Sequence, residues 1–221
     1  MNRRILILEN DDVPEEQNLS AVMQRLIEER IDSIVFEPGT GFARPIPGEV
    51  CGVIVGGGLP SVNDARPWIA EETAFVRSAA TAALPVLGIC FGHQLIGKAF
   101  GAEVARGEKH IGFAKIEQVR SNPLFRGLPE CWRSPAYHQD CVMAVPHGFS
   151  LIATSDYCAV QAMVHDELPI WSVQFHPEIR FGINAYFADP VAAWDDKDAF
   201  ENAPNIALIE NFIDVCTKHR E

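Results

Sequence analysis

Gly88-Ile89-Cys90-Phe91-Gly92 follows the apolar run Val86-Leu87 and leads into a helix-like segment over residues 94–100. A cysteine placed between a strand and a helix, with glycine two residues away on either side, marks a strained turn. Side chains at the flanking positions must be absent for strand and helix to approach each other. Such a turn restricts the chain to folds in which a buried strand feeds directly into a helix packed against it. The surrounding pattern repeats that unit. Residues 3–8, 33–36, 50–55 and 85–89 are short apolar runs of the kind that form buried parallel strands. Residues 14–30 and 68–83 read as helices, the first with Pro14, Glu15 and Glu16 at its start and a stripe of Leu19, Val22, Met23, Leu26 and Ile27. Alternating strands and helices mean βαβ units with right-handed crossovers.

From residue 102 the texture changes to shorter strand-like runs at 103–105, 113–119, 141–145, 151–155, 158–165 and 170–174, before an amphipathic helix at 205–218. The expectation is an α/β fold: a three-layer, open, mostly parallel sheet with helices on both faces, plus a small antiparallel β region. Residues 1–221 read as a single domain, with its site at the carboxyl ends of the strands. Residues 184–202, including the acidic run Trp194-Asp195-Asp196-Lys197-Asp198, read as a surface loop or short helix.

Charge narrows the partners. Eighteen Lys and Arg face 30 Asp and Glu, a net charge of −12. That balance argues against phosphate-backbone binding to nucleic acid and against docking on an anionic membrane. No apolar run approaches the roughly 18 residues that span a bilayer. The four apolar residues after Arg3-Arg4 fall short of a signal segment of about 7–15, so a cytoplasmic setting is expected. Cysteines at 51, 90, 131, 141, 158 and 216 form no C-x-x-C pair, which suggests reduced thiols rather than a zinc knuckle or disulfide framework.

The turn would hold the Cys90 sulfur at a helix N-terminus, where the macrodipole favours thiolate. A cysteine nucleophile needs a base, and the base needs an orienting group. Of seven histidines, His93 is too close in sequence, and His110, His147, His165 and His219 stand in polar surroundings expected to be solvated. His176 follows a buried strand, and Pro177 keeps the chain extended. Glu178, two residues on, shares its face and can fix its tautomer. Gly56-Gly57-Gly58 ends the third strand and could offer backbone N–H groups to an anion or oxyanion. No G-K-[ST] or G-x-G-x-x-G motif accompanies it. His176 and Glu178 alone are too few ligands for a catalytic zinc site, so neither metal nor bound cofactor is expected.

These blocks together resemble the class I glutamine amidotransferase family. The resemblance rests on Gly57-Gly58 with Ser61-Val62-Asn63-Asp64, on Gly88-Ile89-Cys90-Phe91-Gly92-His93-Gln94, and on Gln174-Phe175-His176-Pro177-Glu178, in the family's order. Tyr137-His138-Gln139-Asp140 is similar to the S-H-x-D block of its GMP synthetase-like branch. Leu59 departs from the proline usual after the double glycine. The resemblance implies that Cys90 attacks the glutamine side-chain amide, His176 moves the proton to departing ammonia and Glu178 orients His176. It implies an oxyanion hole from the N–H groups of Gly58 and Phe91. Gly57, Gln94, Tyr137, His138 and Asp140 would then bind L-glutamine or another γ-glutamyl compound.

Two uses of that chemistry stand open. One is a glutaminase that supplies ammonia to a separate synthetase subunit; the other is a stand-alone γ-glutamyl peptidase. A non-catalytic binding module or a redox sensor built on Cys90 is the reading from a different class. Intact Cys90, His176 and Glu178 argue against it.

Overall fold

The computed structural model describes residues 4–10, 19–28, 30–36, 50–180, 200 and 204–218. Nine strands join in one sheet. In chain order they are β1 (Arg4–Leu8), β2 (Asp32–Phe36), β3 (Val50–Val55), β4 (Val86–Ile89), β5 (Val104–Gln118), β6 (Cys131–Val142), β7 (Phe149–Thr154), β8 (Ala162–His165) and β9 (Ile170–Val173). The helices are α1 (Leu19–Ile27), α2 (Pro67–Thr81), α3 (Phe91–Ala99) and α4 (Asn205–Lys218). The spatial order is β2-β1-β3-β4-β9-β8-β7-β5-β6. The five strands from β2 to β9 run parallel, and the pairs from β9 through β8, β7 and β5 to β6 are antiparallel.

Period-two alternation sorts the core onto the two faces. Ile5 and Ile7 of β1, Ile54 of β3 and Leu87 and Ile89 of β4 pack with Met23 and Ile27 of α1 and with Leu208, Ile209, Phe212 and Ile213 of α4. Leu6, Leu8, Val53, Val55 and Val86 point the other way, onto Ile69 and Val76 of α2 and Phe91, Leu95 and Ile96 of α3. Strands apolar on both faces can only be covered by two helical layers, which is why these runs do not alternate with polar residues.

The antiparallel region differs from the sequence reading. It continues the parallel sheet. The runs expected at 103–105 and 113–119 are one strand, β5, and its partner β6 starts ten residues before the strand expected at 141–145. Arg106 to Lys109 broke the apolar pattern because the β5–β6 hairpin reaches past the core there, with a register shift between Arg106 and His110. Residues 11–18, where α1 was expected to begin, and the loop residues 37–49 lie outside the described residues, as does most of 184–202.

A buried carboxylate sits in the core on α2 without a hydrogen-bond partner among the described residues. Glu72 occupies the buried stripe of α2 between Ile69 and Val76, and neither of its carboxylate oxygens has a hydrogen-bond partner among the described residues. Burial, reinforced by the nearby Glu9 carboxylate, pushes its pKa up to about 8. The folded state therefore holds this proton to higher pH than the unfolded chain. The stabilisation is complete below the ordinary carboxylate pKa and is lost as pH rises towards 8. Glu72→Gln is expected to flatten that loss and to stabilise the protein at pH 9 by on the order of a few kcal/mol. Urea midpoints of both proteins at pH 5 and pH 9 test it; parallel falls in the two would refute it.

Candidate active site

Three neighbouring parallel strands, β3, β4 and β9, deliver three segments to one edge of the sheet. Ile89 pairs with Val173, and the Cys90 N–H donates to the Val173 carbonyl at 2.9 Å. Cys90 and the segment after β9 are thereby fixed side by side, although far apart in sequence. On the other side of β4, Gly56 follows β3, and its carbonyl accepts the Gly92 N–H at 3.1 Å.

Cys90 is the residue before the first turn of α3, at φ +51° and ψ −101°. A side chain seldom takes that backbone conformation, and it is the strain expected of a nucleophile turn. The flanking glycines are sterically required. A Cβ on Gly88 would sit 2.5 Å from the Gly92 carbonyl oxygen, and one on Gly92 would overlap the Val55 carbonyl. As the first residue of α3, Phe91 has an N–H without an intrahelical acceptor. Gly58 lines the cleft beside Cys90.

His176 and Glu178 are buried together, and His176 Nδ1 lies 2.7 Å from Glu178 Oε1. The Cys90 sulfur lies close enough to the imidazole to bear on its charge. Burial works against the imidazolium, but the Glu178 carboxylate and the Cys90 sulfur outweigh it and hold the His176 pKa well above the usual histidine range. The ring packs edge-on against Gly57, where a Cβ would come within 3.0 Å of its Cε1. The His176 N–H donates to the Pro135 carbonyl at 2.8 Å, which ties the catalytic edge to the antiparallel half of the sheet.

Beside Cys90 opens a cleft of about 210 Å³. Gly58, Gln94, Tyr137, His138 and Asp140 line it, whereas Gly57 and Phe91, expected at the same site, are not part of its lining. Gln94 donates to the Asp140 carbonyl at 2.9 Å, and the Tyr137 carbonyl accepts the Cys90 thiol at 3.6 Å. Asp140 accepts from Ser61 Oγ at 2.5 Å, and Arg106 Nε lies 3.8 Å from its other oxygen. Lys109 Nζ donates to the Tyr137 hydroxyl at 3.1 Å. Arg106 and Lys109 were not anticipated. Two cations close together in an acidic chain were the available signal.

The other histidines sort by burial. His93 is fully buried, 2.8 Å from Ser172 Oγ and 3.1 Å from the Val160 carbonyl, and burial pulls its pKa down to about 3. It is a neutral core residue. His110, expected to be solvated, stacks on Tyr157 at 3.8 Å between ring centres. His165 is half-buried against Phe100 and Phe149, and His147 is exposed. His219 lies outside the described residues.

No helix among the described residues is long and apolar enough to cross a membrane. No cluster of three or more potential metal ligands occurs among them.

Comparison with known proteins agrees with this geometry. The glutamine-hydrolyzing subunit of GMP synthase from Pyrococcus furiosus is 53% identical over 97 residues, covering 43% of this chain and 52% of that protein. The subunit of the same name from Methanocaldococcus jannaschii is 43% identical over 132 residues, covering 59% of this chain and 66% of that one. The chain thus spans from about half to just under two thirds of these relatives' lengths. A glutamine amidotransferase from Thermotoga maritima superimposes with a TM-score of 0.83 at 21% identity, over 99% of both chains. A GMP synthase subunit protein from Thermoplasma acidophilum gives 0.78 at 23% identity, over 100% of this chain and 96% of that one. At such identities these two likenesses speak for the fold alone. The profile of the class-I glutamine amidotransferases matches residues 13–187, and the chain belongs to that family.

Proposed function

We propose that this chain is a glutaminase that releases ammonia from L-glutamine for a separate GMP-forming synthetase subunit. One observation carries the catalytic half. Cys90, on its strained turn, bears on the charge of an imidazole that is itself held 2.7 Å from a buried carboxylate. The relatives' shared name, a glutamine-hydrolyzing GMP synthase subunit, supports the second half. Residues 1–221 are read as one such unit, because one continuous sheet carries both the catalytic edge and the cleft wall. A cytoplasmic setting fits free thiols among all six cysteines.

In this reading glutamine lies in the cleft with its side-chain amide over Cys90. The sulfur attacks the amide carbon, and the carbonyl oxygen takes the negative charge against the N–H groups of Phe91 and Gly58. The imidazolium of His176 protonates the departing nitrogen, and ammonia leaves the γ-glutamyl thioester. The now neutral His176 draws a proton from water, which attacks the thioester and frees glutamate. Glu178 holds the ring in place and stabilises its charged form. Gln94, Tyr137, His138 and Asp140 would bind the amino-acid end of the substrate. Asp140 offers a carboxylate for the α-ammonium, and Arg106 and Lys109 offer positive charge for the α-carboxylate.

Cys90→Ala is expected to lower glutamate release from L-glutamine by at least about 10³-fold. Turnover equal to the wild type would sink the reading. Preference for γ-glutamyl peptides over glutamine would redirect it to a stand-alone hydrolase. Because many such subunits act with a partner, the assay is run with and without the host's synthetase subunit.

Glu178→Gln has a signature in pH as well as rate. Without the carboxylate the His176 pKa falls, so the imidazolium is lost at lower pH. The alkaline limb of kcat/KM is expected to move down in pH, with kcat reduced on the order of 10²-fold. An unmoved alkaline limb would show that Glu178 does not support the charge on His176.

A further inference from the structure

His110 of β5 and His138 of β6 are paired across the hairpin, and Tyr157, from the turn between β7 and β8, grips both rings. Its face stacks on His110, with 3.8 Å between ring centres and 9° between planes. Its hydroxyl lies 3.0 Å from His138 Nε2. The turn that carries Tyr157 is closed on itself: the Cys158 N–H donates to Ser155 Oγ at 3.2 Å, and the Ser155 hydroxyl donates to the Cys158 carbonyl at 3.1 Å. Tyr157 is half-buried, and burial raises its pKa, so the phenol keeps its proton to donate.

On the other side of the imidazole, His138 Nδ1 lies 3.1 Å from the Asp140 carbonyl. A carbonyl only accepts, so Nδ1 carries the proton. In the neutral ring Nε2 then holds a lone pair, and the Tyr157 O–H is its donor. The Cys141 sulfur, 3.7 Å from Nδ1, is the longer contact on that nitrogen. The same Asp140 carbonyl accepts from Gln94 Nε2 at 2.9 Å. A chain of hydrogen bonds thus runs from Tyr157 through His138 to the backbone of Asp140, whose carboxylate stands in the cleft wall with Ser61 and Arg106 beside it.

We propose that Tyr157 is a positioning residue for the amino-acid end of the substrate: its hydroxyl fixes the His138 ring, and His138 fixes Asp140. The effect on substrate rests on the glutaminase reading; the clamp on His138 does not. Tyr157 is not part of the cleft lining, so it acts through His138 and not by touching the ligand. Without the hydroxyl, Nε2 is a buried acceptor with no donor. The ring regains a partner only by turning, and turning takes the Nδ1–H off Asp140. The carboxylate that receives the α-ammonium then loses its fixed place. Cys90, His176 and Glu178 stand on other segments and keep their register, so the loss falls on binding and not on the chemical step.

Tyr157→Phe tests this, because it keeps the ring and its stack on His110 and removes only the hydroxyl. Glutamate release by the full chain, with the host's synthetase subunit present, is expected to show KM for L-glutamine raised several-fold and kcat unchanged. In a His138→Ala background the same substitution is expected to add nothing, since the two act as one chain. An unchanged KM, a loss carried by kcat, or a full further loss in the His138→Ala background overturns the proposal. Nitrogen-15 spectra of the imidazoles at about pH 8, where a histidine of ordinary pKa is neutral, test the clamp without substrate. His138 is expected as the Nδ1–H tautomer, with an Nε2 signal that shifts on Tyr157→Phe. A proton on Nε2, or a signal that the substitution leaves in place, overturns the clamp. A wild-type protein that neither binds nor hydrolyses glutamine, yet gives the expected spectra, overturns the glutaminase reading and the effect on substrate with it, and leaves the clamp standing.

Discussion

The pairing of β4 with β9 is the constraint on which the site depends. The two strands are distant in the sequence, yet the Cys90 N–H is held by the Val173 carbonyl, and three residues after Val173 the chain reaches His176. A parallel ladder fixes register, and a slip of one residue would turn His176 to the opposite face. Catalytic geometry here is therefore a by-product of strand register in a core buried on both faces. The glycines at 88 and 92 then let α3 come close enough to aim the sulfur along that edge.

Work is divided between the halves of the sheet. The parallel half carries Cys90, His176 and Glu178. The antiparallel half supplies half of the cleft wall, through Tyr137, His138, Gln139 and Asp140 on β6 and Arg106 and Lys109 on β5. The hydrogen bond from the His176 backbone N–H to the Pro135 carbonyl couples them, together with those of Gln94 to the Asp140 carbonyl and of Cys90 to the Tyr137 carbonyl. Substrate preference can shift along the hairpin while the triad keeps its register.

How much of this was legible in the sequence follows from which forces act locally. The parallel strands and α4 could be read because residues buried on two faces leave unbroken apolar runs, and helices packed on one side leave a stripe. The Cys90 turn could be read because its glycines answer to backbone clashes a few residues away. His176 and Glu178 could be paired because an X-Pro step keeps the chain extended. The length of β5 could not be read, since its middle projects beyond the core and carries Arg106, Glu108 and Lys109 instead of apolar residues. Pro135 similarly disguised β6. The stacking of His110 on Tyr157 depends on the packing of the β7–β8 turn against the hairpin, and no local spacing reports that.

The position of β9 has a consequence for synthesis. It is the last strand among the described residues, yet it lies inside the sheet between β4 and β8. As the polypeptide leaves the ribosome, β4 with its cysteine emerges long before the strand that will sit beside it. Until β9 inserts, the parallel and antiparallel halves have no common ladder, and the sulfur has no imidazole to activate it. Late insertion of a central strand makes folding slow for a chain of this size. It also means that the nascent protein carries an ordinary thiol, which becomes a nucleophile only when the sheet is complete.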